Sequence, residues 1–313
     1  MIRYIVRRLL STVVVMAVVA FVVFALLYLT PGDPAAVIAG DIATDEDIRR
    51  IHATLGLDEP FLVQFGRWAW ALAHGDLGTS IFTNLPVTQL IAQRVEPTLS
   101  LTALTLLVAI CVAVPLGVLA AARAGTWLDR GVMAFSVLGF SVPVFVLAYI
   151  LILTFAIDLD WLPVQGYRNF RDGVWEWLRH LILPSIALGT VYVALITRIT
   201  RASMLDVLAQ DFVRTAQAKG LAPDQVLIGH ALKNAAVPIV TIVGIGVALL
   251  ISGAIVTETV FALPGIGRLT VDAILRRDYP IIQGVTLLFS AVYVLVNLAV
   301  DLSYALFDPR IRY

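Results

Sequence analysis

The sequence has 313 residues, of which 60% are hydrophobic and 14% are charged, and its mean hydropathy is +0.92. These values lie outside the range of soluble proteins and indicate a membrane protein that crosses the bilayer several times. Basic and acidic side chains are equal in number, 22 of each, which argues against a nucleic acid as partner.

Cysteine and histidine usage argues against a metal site. Cys111 is the only cysteine in the sequence, so the chain forms neither an intrachain disulfide nor a thiolate metal cluster. The histidines are scattered, and none has a second histidine at ligand spacing. We therefore expect no metal site and interpret these residues as ordinary loop or surface histidines: His52, His74, His180 and His230.

Six apolar stretches predict six membrane spans. The first runs from Leu9 to Leu29 without a charge, directly after a basic N-terminal segment. At 1.5 Å per residue this stretch can cross about 30 Å of hydrocarbon. A cleaved signal peptide would have a shorter apolar core and a small-residue cleavage site, so we expect this helix to be retained. The other spans are residues 98–122, 131–157, 181–200, 237–260 and 281–306, an arrangement that places both termini on one side.

The long segment between the first two spans predicts helices outside the membrane. Thr44 precedes three acidic residues, a pattern typical of a helix N-cap and first turn, and this helix should end at Gly56. Pro60 begins another helix, which carries Trp68 and Trp70. Its aromatic residues fit a helix lying at the outer membrane interface. Packing on the protein's own spans is the equally favoured alternative.

The distribution of basic residues predicts the orientation. If the N-terminus is cytoplasmic, the inside segments hold 12 Lys and Arg and 5 acidic residues, whereas the outside segments hold 10 and 15. Basic residues flanking short loops favour the cytoplasmic side, so both termini are predicted to be cytoplasmic. The inside segments are then residues 1–8, 123–130, 198–236 and 307–313, and residues 30–97 are extracytoplasmic.

Prolines and small residues inside the spans mark candidate hinges or path-lining positions. A proline within a helix removes a backbone hydrogen bond and bends the helix. Ser141 can satisfy a freed carbonyl, and Ser252 lies beside Gly253, where small residues allow close helix packing. The alternative, that the bends only fit helices around their neighbours, is equally favoured. The interrupting prolines are Pro115, Pro143 and Pro184.

Two acidic residues lie within reach of the hydrophobic spans. Glu258 is near the outer end of the fifth span and Asp301 near the inner end of the sixth. Intramembrane acids are costly and therefore candidate functional residues, although both lie within about two turns of an interface that water reaches. We favour an ordinary interfacial role for Asp301. We expect Glu258 to shape the extracytoplasmic mouth together with Pro264 and Gly265, where the helix is broken.

The most informative stretch is the polar segment of residues 201–238, which we call the cytoplasmic unit. Gly220 occupies a position where a helix ending in the left-handed conformation favours a residue without Cβ, and Pro223 suits the first turn of a second helix. Both lysines of the sequence, Lys219 and Lys233, fall in this unit. We therefore predict a basic helix–turn–helix whose first helix has an apolar stripe: Leu205, Leu208, Phe212 and Ala216.

Residues 214–220, RTAQAKG, resemble the "EAA" loop of ABC-importer permeases, the segment that docks into the ATPase subunit. Ala216 and Gly220 match the broad pattern, whereas Arg214 and Thr215 replace its Glu and first Ala, and Lys233 replaces a frequent proline. These departures are typical of the dipeptide/oligopeptide/nickel branch of that family. Further blocks resembling its B-type subunits are residues 31–34, 75–78, 86–87, 97–99, 257–268, 276–280 and 308–312, so the resemblance covers essentially the full length.

The resemblance implies an all-α integral membrane protein with the type I permease architecture of ABC importers. The whole chain, residues 1–313, would form one transmembrane domain that translocates dipeptides, oligopeptides or related small solutes. Its implied partners are a C-type permease subunit, two ATPase subunits or halves, and an extracytoplasmic solute-binding protein. This chain would bind no cofactor and would not be an enzyme, because ATP and Mg²⁺ belong to the ATPase partners.

The resemblance also implies which part of the cytoplasmic unit meets the ATPase. An amphipathic helix docks into a groove through its apolar stripe, while basic residues at the rim orient it. A glycine at the end of the helix sets the angle at which the chain returns to the membrane. The implied contact residues are Leu208, Phe212, Arg214, Thr215, Ala216, Lys219 and Gly220.

Missing signatures limit the alternatives. The sequence has no G-x-x-x-x-G-K-[ST] phosphate loop and neither of two hydrolase signatures, H-E-x-x-H and G-x-S-x-G. An ion-coupled secondary transporter acting without an ATPase remains the main alternative, although such proteins more often carry charged relay residues near the middle of the membrane. A structural membrane scaffold is a third interpretation. The pattern of residues does not identify the solute.

Overall fold

The computed structural model describes residues 2–29, 34–39, 44–46, 48, 49, 52, 56 and 58–307, and the side chains of residues 2–9, 26–29, 34, 37, 38, 251, 252 and 303–307 lie outside that description. The described chain is helical apart from loops and one isolated bridge between Thr79 and Pro86, which confirms the all-α prediction. Two of the family-like blocks, residues 31–33 and 308–312, fall outside the described residues.

The α-helices of the described residues are α1 (Ile2–Leu29), α2 (Pro34–Ala39), α3 (Phe61–Ala73), α4 (Val87–Ala122), α5 (Trp127–Ser141), α6 (Val144–Leu151), α7 (Val174–Leu208), α8 (Asp211–Ala218), α9 (Ala236–Val260), α10 (Ile266–Arg276) and α11 (Tyr279–Phe307). A π-helical segment, Ile152–Asp158, continues α6, and a second one, Gln225–Leu232, precedes α9. The predicted helix after Thr44 is partly described: the amide of Ile48 donates to the Thr44 carbonyl at 3.1 Å, and Gly56 is left-handed with φ +66°.

Three described helices are long and apolar enough to cross a membrane, and each of two bent helix pairs adds one span if the pair is counted together. The three are Val87–Ala122, Val174–Leu208 and Tyr279–Leu302. The described apolar part of the first predicted span, Leu10–Ala25, is too short to be counted among these helices. Several membrane-crossing helices are therefore present, and the count of six stays a prediction.

The third predicted span is broken at Pro143. Helix α5 ends at Ser141, and the two halves, Trp127–Ser141 and Val144–Asp158, meet at 99°. Proline has no amide hydrogen and disfavours the helical conformation in the residue before it. Val142 accordingly adopts an extended backbone with φ −81° and ψ 123°. The other two prolines that we expected to interrupt spans, Pro115 and Pro184, lie inside the continuous helices α4 and α7.

The chain divides into two compact units: residues 1–96 with 268–294, and residues 97–267 with 295–313. In the second unit, α5, α6 and α9 pack on α7, and 67% of the apolar window of α7 is buried. Glycines lie at several contacts with α7. A Cβ on Gly139 of α5 would lie 3.1 Å from a Thr190 methyl, and one on Gly253 of α9 would lie 3.4 Å from a Leu188 methyl.

A buried ion pair joins the N-terminal turn of α5 to the C-terminal part of α7. The Arg201 guanidinium donates to both carboxylate oxygens of Asp129, at 2.5 and 2.8 Å, and the Gly125 amide donates to the same carboxylate at 2.9 Å. The Asp129 side chain is 5% exposed, so its charge depends on this partner. The pair holds α7 at Arg201, the residue at which the cytoplasmic unit begins. No pattern in the sequence had predicted this ion pair.

The closest approach of α4 to α7 provides the first test. A Cβ on Gly117 would lie 2.6 Å from the Thr200 Cβ and 2.9 Å from the Thr197 carbonyl oxygen, whereas a Cβ on Gly131 would meet nothing within 4 Å. We expect Gly117→Ala to lower the stability of the purified protein by about 1–3 kcal/mol through overpacking. Gly131→Ala is the matched control and should be neutral or stabilising, since alanine favours the helix. Equal melting temperatures for both variants would contradict this packing.

Candidate functional site

The cytoplasmic unit has the predicted helix, glycine turn and second helix, but the predicted first helix is broken. Leu205 and Leu208 lie at the end of α7, Ala209 and Gln210 interrupt the helix, and Phe212 and Ala216 lie in α8. Helix α8 ends at Ala218, and Gly220 is left-handed with φ +76°. The Gly220 amide donates to the Gln217 carbonyl at 2.9 Å, and the Leu221 amide donates to the Ala216 carbonyl at 3.4 Å. Such backward bonds satisfy the last carbonyls of a helix. The chain is helical again from Pro223, in agreement with the prediction.

The apolar stripe of the first helix packs inside the unit itself. Val213 and Ala216 are 1% and 7% exposed, and they form a cluster with Val226 of the following π-helical segment. Leu208 and Phe212 are half-buried against the same cluster. Ala216 is therefore not available as an anchor in a partner's groove, and that expectation is wrong. The exposed residues of this region are Asp211, Arg214, Thr215, Gln217, Ala218, Lys219 and Gly220.

A second apolar cluster joins the cytoplasmic unit to the membrane helices. Met204 and Val207, near the end of α7, are buried against Ala121 at the end of α4. Ala231 of the π-helical segment and Ala235 just before α9 belong to the same cluster. The cluster therefore brings residues of α4, α7 and α9 into contact with the cytoplasmic unit.

Glu258 lies near the C-terminal end of α9 and is completely buried, at 0% exposure. The Thr98 hydroxyl donates to the Glu258 carboxyl group at 2.6 Å and accepts the Ile266 amide hydrogen at 2.8 Å. One hydroxyl thus connects the ends of α4 and α9 with the start of α10. The expectation that water reaches Glu258 is wrong, because the turn after α9 folds over it.

Two glycines make room for that turn. A Cβ on Gly265 would overlap the Glu258 carboxyl group, and one on Gly267 would lie 2.9 Å from a carboxyl oxygen. Ala262 takes the left-handed conformation with φ +50°, and the Leu263 amide donates to the Glu258 carbonyl at 2.8 Å. Among the candidate mouth residues, Pro264 is exposed and Gly265 is buried. The turn is therefore shaped around Glu258 and covers it.

Of the remaining gate candidates, Ser141 and Pro143 lie at the break between α5 and α6, and Ser252 lies in α9. Ser141 and Pro143 are both exposed on this chain. The Ser141 hydroxyl donates to the Val137 carbonyl one turn earlier, at 2.8 Å, which satisfies it within its own helix. The side chain of Ser252 is outside the described residues.

Sequence reasoning also missed the buried acid Asp278, just before α11. Asp278 is 2% exposed and accepts the Ser80 hydroxyl at 2.5 Å and the Ile81 amide at 3.4 Å. Ser80 in turn accepts the Thr83 amide at 3.1 Å. The loop that follows the family-like block at residues 75–78 thus binds the block at residues 276–280. An acid three residues before the predicted sixth span was the available signal.

Comparison with known proteins identifies the family. Residues 113–313 match the family described as binding-protein-dependent transport system inner membrane component, and residues 1–102 match the N-terminal region of such components. The chain belongs to this family. The permease is accordingly a multi-pass inner-membrane component of an ABC importer, a transport subunit and not an enzyme. The family description implies a solute-binding protein and an ATPase as partners, which argues against an ion-coupled transporter working alone.

Relatives match the permease over its full length. A probable peptide ABC transporter permease protein of Sinorhizobium fredii is 57% identical over 310 residues, 99% of each chain. A glutathione transport system permease protein of Salmonella paratyphi A is 42% identical and covers 100% of both chains. Among solved structures, the inward-facing MetNI methionine ABC transporter aligns with a TM-score of 0.59 at 18% identity, over 71% of this chain and 97% of that chain. This likeness concerns the fold alone, the type I importer permease.

The hydrogen bonds around Glu258 give the second test. Thr98→Val keeps the shape of the side chain but removes the hydroxyl that donates to the Glu258 carboxyl group and accepts the Ile266 amide hydrogen. We expect it to lower stability by about 1–3 kcal/mol. Thr98→Ser keeps the hydroxyl and should retain most of the stability, as measured by thermal unfolding of the purified complex. Equal stability of Thr98→Val and Thr98→Ser would refute the three-way connection.

The carboxyl group of Glu258 is tested separately. In Glu258→Gln the side-chain carbonyl can still accept the Thr98 hydroxyl, so the complex should assemble while transport falls. Wild-type uptake by this variant would show that the carboxyl group is dispensable.

Proposed function

We propose that this permease is the B-type subunit of an ABC importer that translocates dipeptides, oligopeptides or related small solutes delivered by an extracytoplasmic binding protein. The main support is that relatives matching its full length are named for peptides and for glutathione, itself a tripeptide, at 57% and 42% identity. A path for such solutes would be completed by a C-type permease subunit. Two ATPase subunits or halves would hold ATP and Mg²⁺.

The coupling contact is proposed to be the exposed face of α8 and not the buried stripe. Val213 and Ala216 hold the cytoplasmic unit together, whereas Arg214, Thr215 and Ala218 are free to meet another protein. An Arg on such a face orients a partner and affects recognition more than affinity. Lys219 and Gly220 extend this face at the end of the helix.

The mechanical proposal follows from the two clusters. Closure of the ATPases would displace the cytoplasmic unit, and the cluster around Met204 and Ala231 would carry the displacement into α4, α7 and α9. Packed helices respond by switching between discrete arrangements. At the outer end, the Thr98–Glu258 contact holds α4 and α9 together in this arrangement.

Topology is the first prediction of this proposal. Both termini and residues 201–236 should be cytoplasmic, and residues 30–97 extracytoplasmic, because the inside segments are then enriched in basic residues. Reporter fusions at Tyr313, Gly220 and Asp58 measure this directly. An extracytoplasmic Gly220 would rule out any contact between the cytoplasmic unit and an ATPase.

A matched pair of substitutions in α8 tests the coupling face. Ala216→Asp places a charge in the apolar cluster and should destabilise the unit. Ala218→Asp changes an exposed position and should leave thermal stability unchanged, yet reduce copurification of the ATPase and abolish receptor-stimulated ATP hydrolysis. Normal ATPase stimulation by a folded Ala218→Asp variant would place the contact elsewhere.

The solute class is tested in the reconstituted complex. Uptake of a labelled dipeptide into vesicles should require ATP, the binding protein and this permease, and unlabelled peptides or glutathione should compete for it. Vesicles lacking the permease serve as the control. Competition by oligosaccharides or nickel chelates, with none by peptides, would assign a different solute to the same importer.

A further inference from the structure

Helix α3 packs on α1 near the C-terminal end of the first predicted span. Three residues spread over two turns of α3, Phe61, Phe65 and Trp68, all have ring centroids within 5.5 Å of Phe24. Phe21, one turn earlier on α1, contacts Phe61 and Phe65 as well. The aromatic residues of α3 thus hold it against the last turns of α1. Phe24 lies five positions before the end of α1 at Leu29, about 7.5 Å along the axis.

The only charge on α3 is neutralised outside the helix. Arg67 donates to both carboxylate oxygens of Glu59, at 2.6 and 2.5 Å. Gln64, the other polar side chain of α3, is 8% exposed and donates to the Glu59 carbonyl at 2.7 Å. Both polar groups are thus directed to the chain that precedes the helix.

The face of α3 turned away from α1 is apolar and exposed. Leu62 is 72% exposed, Val63 50% and Trp70 70%, and Gly66 lies between them on the same side with no neighbour near its Cβ position. This surface continues onto α1, because Phe21 touches Phe61 and is itself 44% exposed. Tryptophan at the edge of such a surface is typical of the boundary between lipid and water.

We propose that α3 is an interfacial anchor whose exposed apolar face lies in the lipid of the membrane surface at the outer end of α1. Two observations favour lipid over a protein partner: the neutralised charge of Arg67 and the apolar surface that continues from α3 onto a membrane helix. Helices with one apolar face bind bilayers in this way, with that face buried about 5–10 Å into the headgroup boundary. The assignment to the outer leaflet rests on the topology proposed above, whereas the lipid contact does not.

Nitroxide scanning of the full transporter complex in lipid nanodiscs tests this anchor. In a background where Cys111 is replaced by serine, single labels are placed at Leu62→Cys and Trp70→Cys, with Arg67→Cys as the control on the same helix. We expect collision rates with oxygen to exceed those with a water-soluble nickel chelate at positions 62 and 70. The order should reverse at position 67, at the polar edge.

The outcomes separate lipid from every other environment. Dominant collisions with the nickel chelate at positions 62 and 70 would place the face in water and overturn the proposal. Low collision rates with both reagents would place it against another protein subunit and overturn it equally. If one labelled variant fails to assemble, Val63→Cys reports on the same face. Because the collision rates report lipid contact alone, the result is independent of the solute and of the ATPase contact.

Discussion

Close packing of membrane helices around α7 is the constraint on which the second unit depends. Between helices in lipid, the hydrophobic effect offers no drive for association, so contacts rely on close approach of backbones and on polar groups. Gly117, Gly139 and Gly253 provide that approach on three different helices, each against a side chain of α7. The Asp129–Arg201 pair adds a directional bond where α7 leaves the apolar core. The small residues and the Asp129–Arg201 pair thus set how the helices of the second unit pack on α7.

The two ends of this helical core have different physical character. Its cytoplasmic end is held by apolar clusters, first around Met204 and then around Val213. Its opposite end is held by hydrogen bonds that meet at the Thr98 hydroxyl. Closely packed apolar side chains and a buried, hydrogen-bonded carboxyl group both favour discrete arrangements over gradual deformation. The two ends of the core therefore differ in the kind of contact that must be broken when the arrangement changes.

Local features of the fold could be predicted from the sequence, and long-range ones could not. Gly220 acts through its own backbone, so the left-handed turn followed from residue type alone. Residue type indicated the break at Pro143 but did not distinguish it from Pro115 and Pro184, which lie inside continuous helices. The length of α4 was underestimated because helix formation overrides Pro97, which lies inside it. The burial of Ala216 and of Glu258 depends on side chains of other helical segments, such as Val226 and Thr98. Periodicity correctly indicated an apolar stripe on the first helix of the cytoplasmic unit, but it does not distinguish a stripe covered by the same chain from one offered to a partner.

The hydrogen bond between Ser80 and Asp278 has a consequence for biogenesis. Its partners are separated by 198 positions in the chain, and both are almost fully buried. At a synthesis rate of about 5–20 residues per second, the loop around Ser80 emerges roughly 10–40 s before the acid that completes it. During that interval its polar groups need water, a chaperone or the insertion machinery as substitutes. A chain that ends before Asp278 lacks this acceptor, so the buried loop around Ser80 is completed only late in synthesis.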